Sequence, residues 1–200
     1  MIYDETCRGR GARPGLTHSW VAGGALYRAL GRLDGHRGVS SWDEAFSWLA
    51  TVDPGRPIGE IQYWGHGKWG AALVDNDVFD EHALCRGHPL FEALCRVRDR
   101  MVENHGLFWF RTCETFGAER GLAFARALTH FLGCRAAGHT YIIGPLQSGL
   151  HSLHPGREPH WSSEEGLLEG SPREPRRARW SSFDAPNTIT CLHGAVPAGF

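Results

Sequence analysis

A histidine set between two glycines and a cysteine further along the chain are the residues best suited to covalent chemistry. His66 follows the largely apolar run 61–64 after one glycine, and Cys113 follows a second apolar run, 107–110, after two further residues. A cysteine attacks a carbonyl carbon as a thiolate, and a neighbouring imidazole can take its proton. The two side chains could therefore act as nucleophile and general base if the fold brings them together.

Both apolar runs are predicted to be strands, because short apolar runs without a helical period are typical of strands buried on both faces. Ser41 and Glu44 form a capping-box pattern at a helix start, and Gly133 is placed to end a helix. Two glycines disfavour the helix that apolar spacing indicates after residue 18. The full pattern predicts helices over 18–33, 41–49, 91–102 and 117–132, and strands over 61–67, 71–74, 107–113 and 140–143.

This alternation of helices and strands predicts an α/β fold with a mostly parallel central sheet. We expect one domain over residues 1–200, with its core at about 40–165 and a loop-rich part at 145–200. Sites in such sheets lie outside the carboxyl ends of the strands, so we expect His66 and Cys113 to face one crevice. The backbone N–H groups of Gly67 and Cys113 are then candidate donors to an oxyanion.

Composition narrows the possible partners and compartment. The 200 residues carry a formal charge of −1. The sequence shows no clustered basic surface of the kind that would predict nucleic-acid binding. No apolar run approaches the roughly 20 residues of a membrane span, and the first residues lack a signal-peptide pattern. We therefore expect a cytoplasmic protein with reduced thiols, in which the four cysteines other than Cys7 and Cys113 are packing or incidental residues.

The two strand ends resemble those of the caspase-like cysteine peptidases, a superfamily that includes caspases, metacaspases, gingipains, legumains, separases and bacterial caspase-like domains. The resemblance is carried by residues 63–67, which end in Gly-His-Gly, and by residues 109–113, which end in Thr-Cys. The histidine precedes the cysteine by roughly 50 residues, as in caspases. The likeness covers about residues 40–165 and follows the superfamily's order of elements after the cysteine.

The resemblance implies a three-layer sandwich with helices on both faces of the sheet. It also implies Cys113 as the nucleophile and His66 as the general base and acid. The caspase signature Gln-Ala-Cys-x-Gly is absent, because Cys113 here lies in Arg-Thr-Cys-Glu-Thr. The chain thus resembles divergent bacterial members of the superfamily, and the aspartate-specific pocket of caspases is not implied.

Several other residues have two open interpretations. Glu114 could set a charge preference for substrate, or it could be an acid at the start of the next helix. Asp75 and Asp77 could line a pocket for a basic side chain, or form a turn. Trp161 and Trp180 could wall a substrate cleft or a partner surface. The spacing of a histidine cluster matches no standard zinc pattern, so no metal is expected; its members are His151, His154 and His160.

We therefore predict a cysteine endopeptidase that acts on a protein or peptide without a cofactor, with a regulatory partner protein as a further possibility. The alternative is a catalytically silent caspase-like interaction module. A serine hydrolase ranks last because it requires a Gly-x-Ser-x-Gly elbow, which the sequence lacks.

Overall fold

The computed structural model describes residues 1–9, 14–103, 105–167 and 178–200. In chain order its elements are β1 (Ile2–Asp4), α1 (Leu16–Ala29), β2 (Arg37–Val39), α2 (Trp42–Thr51), β3 (Glu60–Trp64), β4 (His66–Lys68), β5 (Ala71–Val74), β6 (Asp77–Phe79), a 3-10 helix (Glu81–Leu84), α3 (Phe91–Arg98), β7 (Leu107–Arg111), α4 (Ala118–Leu132), β8 (Arg135–His139), β9 (Leu146–Gln147), β10 (Leu150–Leu153) and β11 (Ile189–Thr190).

A six-stranded sheet forms the centre of the fold, in the order β10-β8-β7-β3-β1-β2. Every pair in it is parallel except β10 with β8. Each parallel connection contains a helix, as crossovers between parallel strands usually do. The predicted α/β fold with a mostly parallel sheet is confirmed.

One face of the sheet carries the largest apolar core. Alternate residues of the two central strands point into it, including Ile61 and Tyr63 from β3 and Phe108 and Phe110 from β7. These side chains pack with residues of α2, α3 and α4 and with Phe79 of β6. Three helices therefore cover this face.

The opposite face is covered by α1 and by the C-terminal segment. Tyr27 of α1 packs on Trp64 with their ring centroids 5.4 Å apart. Further along the sheet, Trp109 and Leu150 pack with Ile189 of β11. Helices thus lie on both sides of the sheet, and in the described ranges α1 is the helix that covers this second face.

Arg111 connects the elements that cover the second face of the sheet. Its guanidinium is buried between the rings of Trp64 and Trp109, at 4.8 and 4.4 Å from their centroids. It donates to Gln147 Oε1, to the Tyr27 hydroxyl oxygen and to the His193 carbonyl, at 2.8–2.9 Å. Burial lowers the pKa of this guanidinium, and the surrounding acceptors compensate its charge; in the described part of the chain, no carboxylate forms a salt bridge with it.

Local sequence signals account for several element boundaries. The Ser41 hydroxyl accepts from the Glu44 N–H at 3.2 Å, which confirms the predicted start of α2. Gly133 ends α4 with a left-handed φ of 64°, as predicted. The predicted strand 71–74 is β5.

The predicted strand over 140–143 is wrong, since the sheet strand is β8, which ends at His139. The β-branched residues after it lie beyond the sheet, where Ile142 forms only a single bridge with Trp180. β8 itself is rich in alanine and glycine. Small residues are needed there because a Cβ at Gly138 would lie 2.7 Å from the Phe116 ring.

Two helices have bounds that differ from prediction, and two strands were not predicted. The first helix covers Leu16–Ala29 rather than 18–33, and α3 ends at Arg98 rather than at residue 102. Residues after α3 leave the helix because Met101 bridges to Ile58. The sequence pattern did not indicate β2 or β10. In β10, polar residues are buried because they find partners, as where Ser152 accepts from Arg135 Nε at 2.9 Å.

Two sequence predictions fall partly outside the described residues. The sequence predicts a Gly/Arg-rich turn region over 7–15 and an exposed basic loop over 174–179. Positions 10–13 of the first and 174–177 of the second lie outside the described residues. All six cysteines lie in described ranges and are free thiols. Within those ranges, no helix combines the length and the apolar character needed to cross a membrane.

His139 ends β8 as a fully buried side chain whose Nδ1 lies 3.2 Å from the Ser148 carbonyl oxygen. Burial, and secondarily the charge of Arg111, lower the pKa of this imidazole to about 3. An unfolded histidine titrates near pH 6.5. Below that pH the unfolded chain therefore binds a proton that the native protein does not, and the free energy of unfolding decreases.

We predict that His139→Asn, which retains a donor to Ser148, reduces the loss of stability on acidification. The histidine accounts for about 2 kcal/mol of the loss between pH 7.5 and pH 5. Urea unfolding at the two pH values measures it. His82→Asn, at an exposed position, is the control. Equal pH-dependent losses in wild type and His139→Asn would contradict the prediction.

Candidate active site

His66 and Cys113 follow neighbouring parallel strands at the same edge of the sheet. In the register of β3 and β7, Trp64 lies opposite Arg111. Each candidate comes two residues after its member of this last pair. Because adjacent strands lie about 4.8 Å apart, the two segments leave the sheet side by side.

The backbone joins the two segments directly. The Trp69 N–H donates to the Glu114 carbonyl at 2.8 Å, and the Gly70 N–H donates to the Thr115 carbonyl at 2.9 Å. Gly67 lies against the same turn, because a Cβ added to it would be 2.9 Å from the Cys113 carbonyl oxygen. The histidine-bearing and cysteine-bearing segments are therefore held in contact.

Cys113 is a half-buried thiol, with Sγ 3.9 Å from the Ile143 carbonyl oxygen. Burial raises the pKa of this thiol, and the negative charge of Glu114 raises it further. The thiol is thus protonated at neutral pH, and it needs a base to become a nucleophile.

His66 is exposed and belongs to β4, which pairs with β5. The strand predicted over 61–67 therefore ends at Trp64, and a separate short strand begins at His66. Its ring meets the indole of Trp20 nearly at right angles, with centroids 5.9 Å apart. Among the described residues, no hydrogen bond from a side chain or backbone group reaches the His66 ring. Sequence reasoning missed Trp20, because no local signal links the first helix to β4.

The two predicted oxyanion donors have different surroundings. In the described part of the chain, the Cys113 N–H makes no hydrogen bond to another residue. Gly67 instead lies within β4, opposite Ala72 of β5. The Cys113 amide is therefore the better placed donor for a developing oxyanion.

Glu114 lies in the site, as a buried carboxyl beside the nucleophile candidate. Its Oε1 accepts from the Trp69 indole N–H at 3.2 Å, and burial raises its pKa. Both residues have a left-handed backbone, with φ of 52° for Glu114 and 46° for Trp69. Such strain in non-glycine residues is concentrated at functional sites.

The predicted pocket residues Asp75 and Asp77 lie in the hairpin that follows β4. Asp75 occupies the turn between β5 and β6 with a φ of 52°. Asp77 Oδ2 accepts from the Trp42 N–H at 2.7 Å at the start of α2. In the described residues, no hydrogen bond joins either carboxylate to the His66 or Cys113 segment.

The histidine cluster and the two loop tryptophans separate into buried and exposed members. His151 Nε2 pairs with Glu165 Oε2 at 2.7 Å and stacks on Trp161, which is itself buried against Phe116. Trp161 is therefore a core residue and not a cleft wall. Trp180 is 70% exposed beside Ile142. No group of three or more histidine, cysteine or acidic side chains in the described ranges could hold a metal ion.

Comparison with known proteins identifies no relative of this chain. No protein-family model matches the chain, and neither a curated protein nor a solved structure matches it.

We predict that Gly67→Ala separates the two segments, because the new methyl group would overlap the Cys113–Thr115 turn. Overpacking of this kind costs about 1–3 kcal/mol of stability. Chemical denaturation measures the loss of stability. The alkylation rate of Cys113 reports the separation of the two segments around this thiol. Gly55→Ala is the matched control, because nothing lies within 4 Å of its Cβ position. An unchanged Gly67→Ala protein would show that the close contact is absent in solution.

We predict that Glu114→Gln lowers the pKa of the Cys113 thiol, because it removes a neighbouring negative charge and retains an acceptor for Trp69. Alkylation by iodoacetamide should then accelerate at a lower pH than in wild type, with the same limiting rate at high pH. Mass-spectrometric rates over pH 6–10 provide the measurement. Glu119→Gln, an exposed acid in α4, is the control. Superimposable profiles of wild type and Glu114→Gln would contradict the prediction.

Proposed function

We propose that this protein is a cysteine endopeptidase of the caspase-like type, with Cys113 as nucleophile and His66 as general base and acid. The observation that carries the proposal is the direct backbone contact between the two segments at the carboxyl ends of β3 and β7. A helix-covered, mostly parallel sheet with a site at this edge is what the resemblance implies.

In the proposed reaction, His66 takes the Cys113 thiol proton and the sulfur attacks the peptide carbonyl carbon. The carbonyl oxygen becomes an oxyanion, which the Cys113 N–H stabilises. When the C–N bond breaks, His66 gives its proton to the leaving amine and a thioester remains on Cys113. A water molecule, deprotonated by His66, attacks this thioester. Release of the carboxylic acid product restores the thiol and the neutral imidazole.

The protonation state of Cys113 supports a general-base mechanism over a preformed ion pair. Burial and the adjacent Glu114 both favour the neutral thiol at rest. An exposed His66 is accessible to a substrate and to the hydrolytic water. The proposed enzyme thus forms its thiolate during the encounter with a peptide.

The raised pKa of the Cys113 thiol is also compatible with an alternative function, a catalytically silent caspase-like interaction module. A thiol whose pKa is raised by burial reacts slowly unless a base assists it. Trp180 is an exposed aromatic side chain near the site that could contact a partner. Selective alkylation of Cys113 distinguishes the two functions. It is expected of an enzyme, which activates this thiol, and not of a silent module, which does not.

We predict that Cys113→Ala abolishes peptide cleavage and leaves the fold intact, while His66→Ala lowers kcat by about 100- to 10,000-fold. Cleavage is measured on a fluorogenic peptide library, and circular dichroism monitors folding. Cys85→Ala is the control, because Cys85 is an exposed thiol directly after the 3-10 helix. Cleavage by the Cys113→Ala protein would exclude the proposed nucleophile.

A further inference from the structure

Among the described residues, the proposed general base has no hydrogen-bonded partner of the kind that usually orients such a group. In hydrolytic sites, a third side chain commonly hydrogen-bonds the base and fixes its rotamer and tautomer. His66 is exposed, and in the described part of the chain its ring has no hydrogen-bond partner. An imidazole held only by its own backbone would sample several rotamers and lose alignment with the thiol.

Trp20 is the side chain in ring contact with His66. Their centroids lie 5.9 Å apart and their planes meet at 79°, within the range of favourable perpendicular aromatic contacts. Trp20 is itself half-buried, and it packs against the cluster formed by Met1, Tyr27 and Trp64. The indole is therefore a fixed surface against which the imidazole rests.

Helix α1 is held close enough to the sheet for this contact by its glycines. A Cβ at Gly23 would lie 2.7 Å from the Trp64 ring, so a larger residue would push the helix outward. The Tyr27 hydroxyl anchors the following turn, because its oxygen lies 2.8 and 2.6 Å from the Cys191 and His193 carbonyl oxygens and its single proton can be donated to either. This explains glycines in mid-helix, where they otherwise cost about 1 kcal/mol each relative to alanine.

We infer that Trp20 is a positioning residue for the His66 imidazole, in the place of a hydrogen-bonded third side chain. The inference rests on the proposed function, and it assigns α1 a part in the site. Trp20 limits the imidazole to the rotamers that rest against its indole ring. Gly23 sets how closely the helix carrying Trp20 approaches β3.

The test compares Trp20→Leu and Trp20→Phe in the full-length protein. Loss of the aromatic ring should lower kcat by about 10- to 100-fold with KM unchanged, because the base is misaligned while peptide binding is retained. Phenylalanine should recover most of the activity, since it restores a ring contact. Trp48→Leu is the matched control, because this half-buried tryptophan lies in α2 on the other face of the sheet.

Two further measurements need no peptide substrate. In NMR spectra, the carbon-bound ring protons of His66, assigned through His66→Ala, should carry a ring-current shift that Trp20→Leu removes. The rate of Cys113 alkylation by iodoacetamide at pH 7 should fall in Trp20→Leu and in His66→Ala alike.

The outcomes separate this inference from the proposed function. Alkylation and cleavage that depend on His66 but not on Trp20 would overturn the inference and leave the function standing. Alkylation that depends on neither residue, in a protein that cleaves no peptide, would overturn both. If Trp20→Leu retains full activity while the His66 resonance changes, then the two rings are in contact but the contact does not affect the function of the base. This result would also overturn the inference.

Discussion

Because Trp64 lies opposite Arg111 in the parallel pair of β3 and β7, the chain segments that follow these strands emerge together from the sheet. Everything at the proposed site depends on that register. The hydrogen bonds from Trp69 and Gly70 to the Cys113–Thr115 turn continue the pairing beyond the last ladder residues. A slip of β3 by one residue would reverse the faces of that strand, moving Tyr63 out of the main core.

The two faces of the sheet contribute differently. One face buries a broad apolar core under three helices and supplies most of the hydrophobic stabilisation. The other face contains a buried cation, Arg111, whose acceptors come from α1, from Gln147 and from the C-terminal segment. Arg111 therefore connects the strand that leads to Cys113 with the helix that carries Trp20. The proposed nucleophile and the surface around the proposed base share one polar anchor.

Much of the architecture could be predicted from local signals, and the failures have physical causes. The capping serine before α2, the C-cap glycine after α4 and the apolar runs of β3 and β7 are short-range features, and the structure contains all of them. Strands β8 and β10 were missed because alanine, glycine, histidine and serine have low strand preference, and tertiary contacts determine their state.

The sequence predicts the candidate site only where the position of a residue relative to a strand determines its place in the fold. His66 and Cys113 follow apolar runs, so their common edge could be expected. Trp20 approaches His66 through helix packing, and Asp77 lies under α2 because of a long-range hydrogen bond to Trp42. No spacing in the sequence encodes either contact. The positive φ of Glu114 and Trp69 likewise becomes visible only when both segments are folded against each other.

The contact between the two site segments is made largely by main-chain atoms, and this has an evolutionary consequence. Amide and carbonyl groups are the same for nearly every residue, so positions 69, 114 and 115 can change their side chains while the hydrogen bonds persist. Gly67 is different, because any side chain there would enter the facing turn. Descendants of this chain can therefore diverge widely around the site and still inherit its geometry, provided that this glycine is retained.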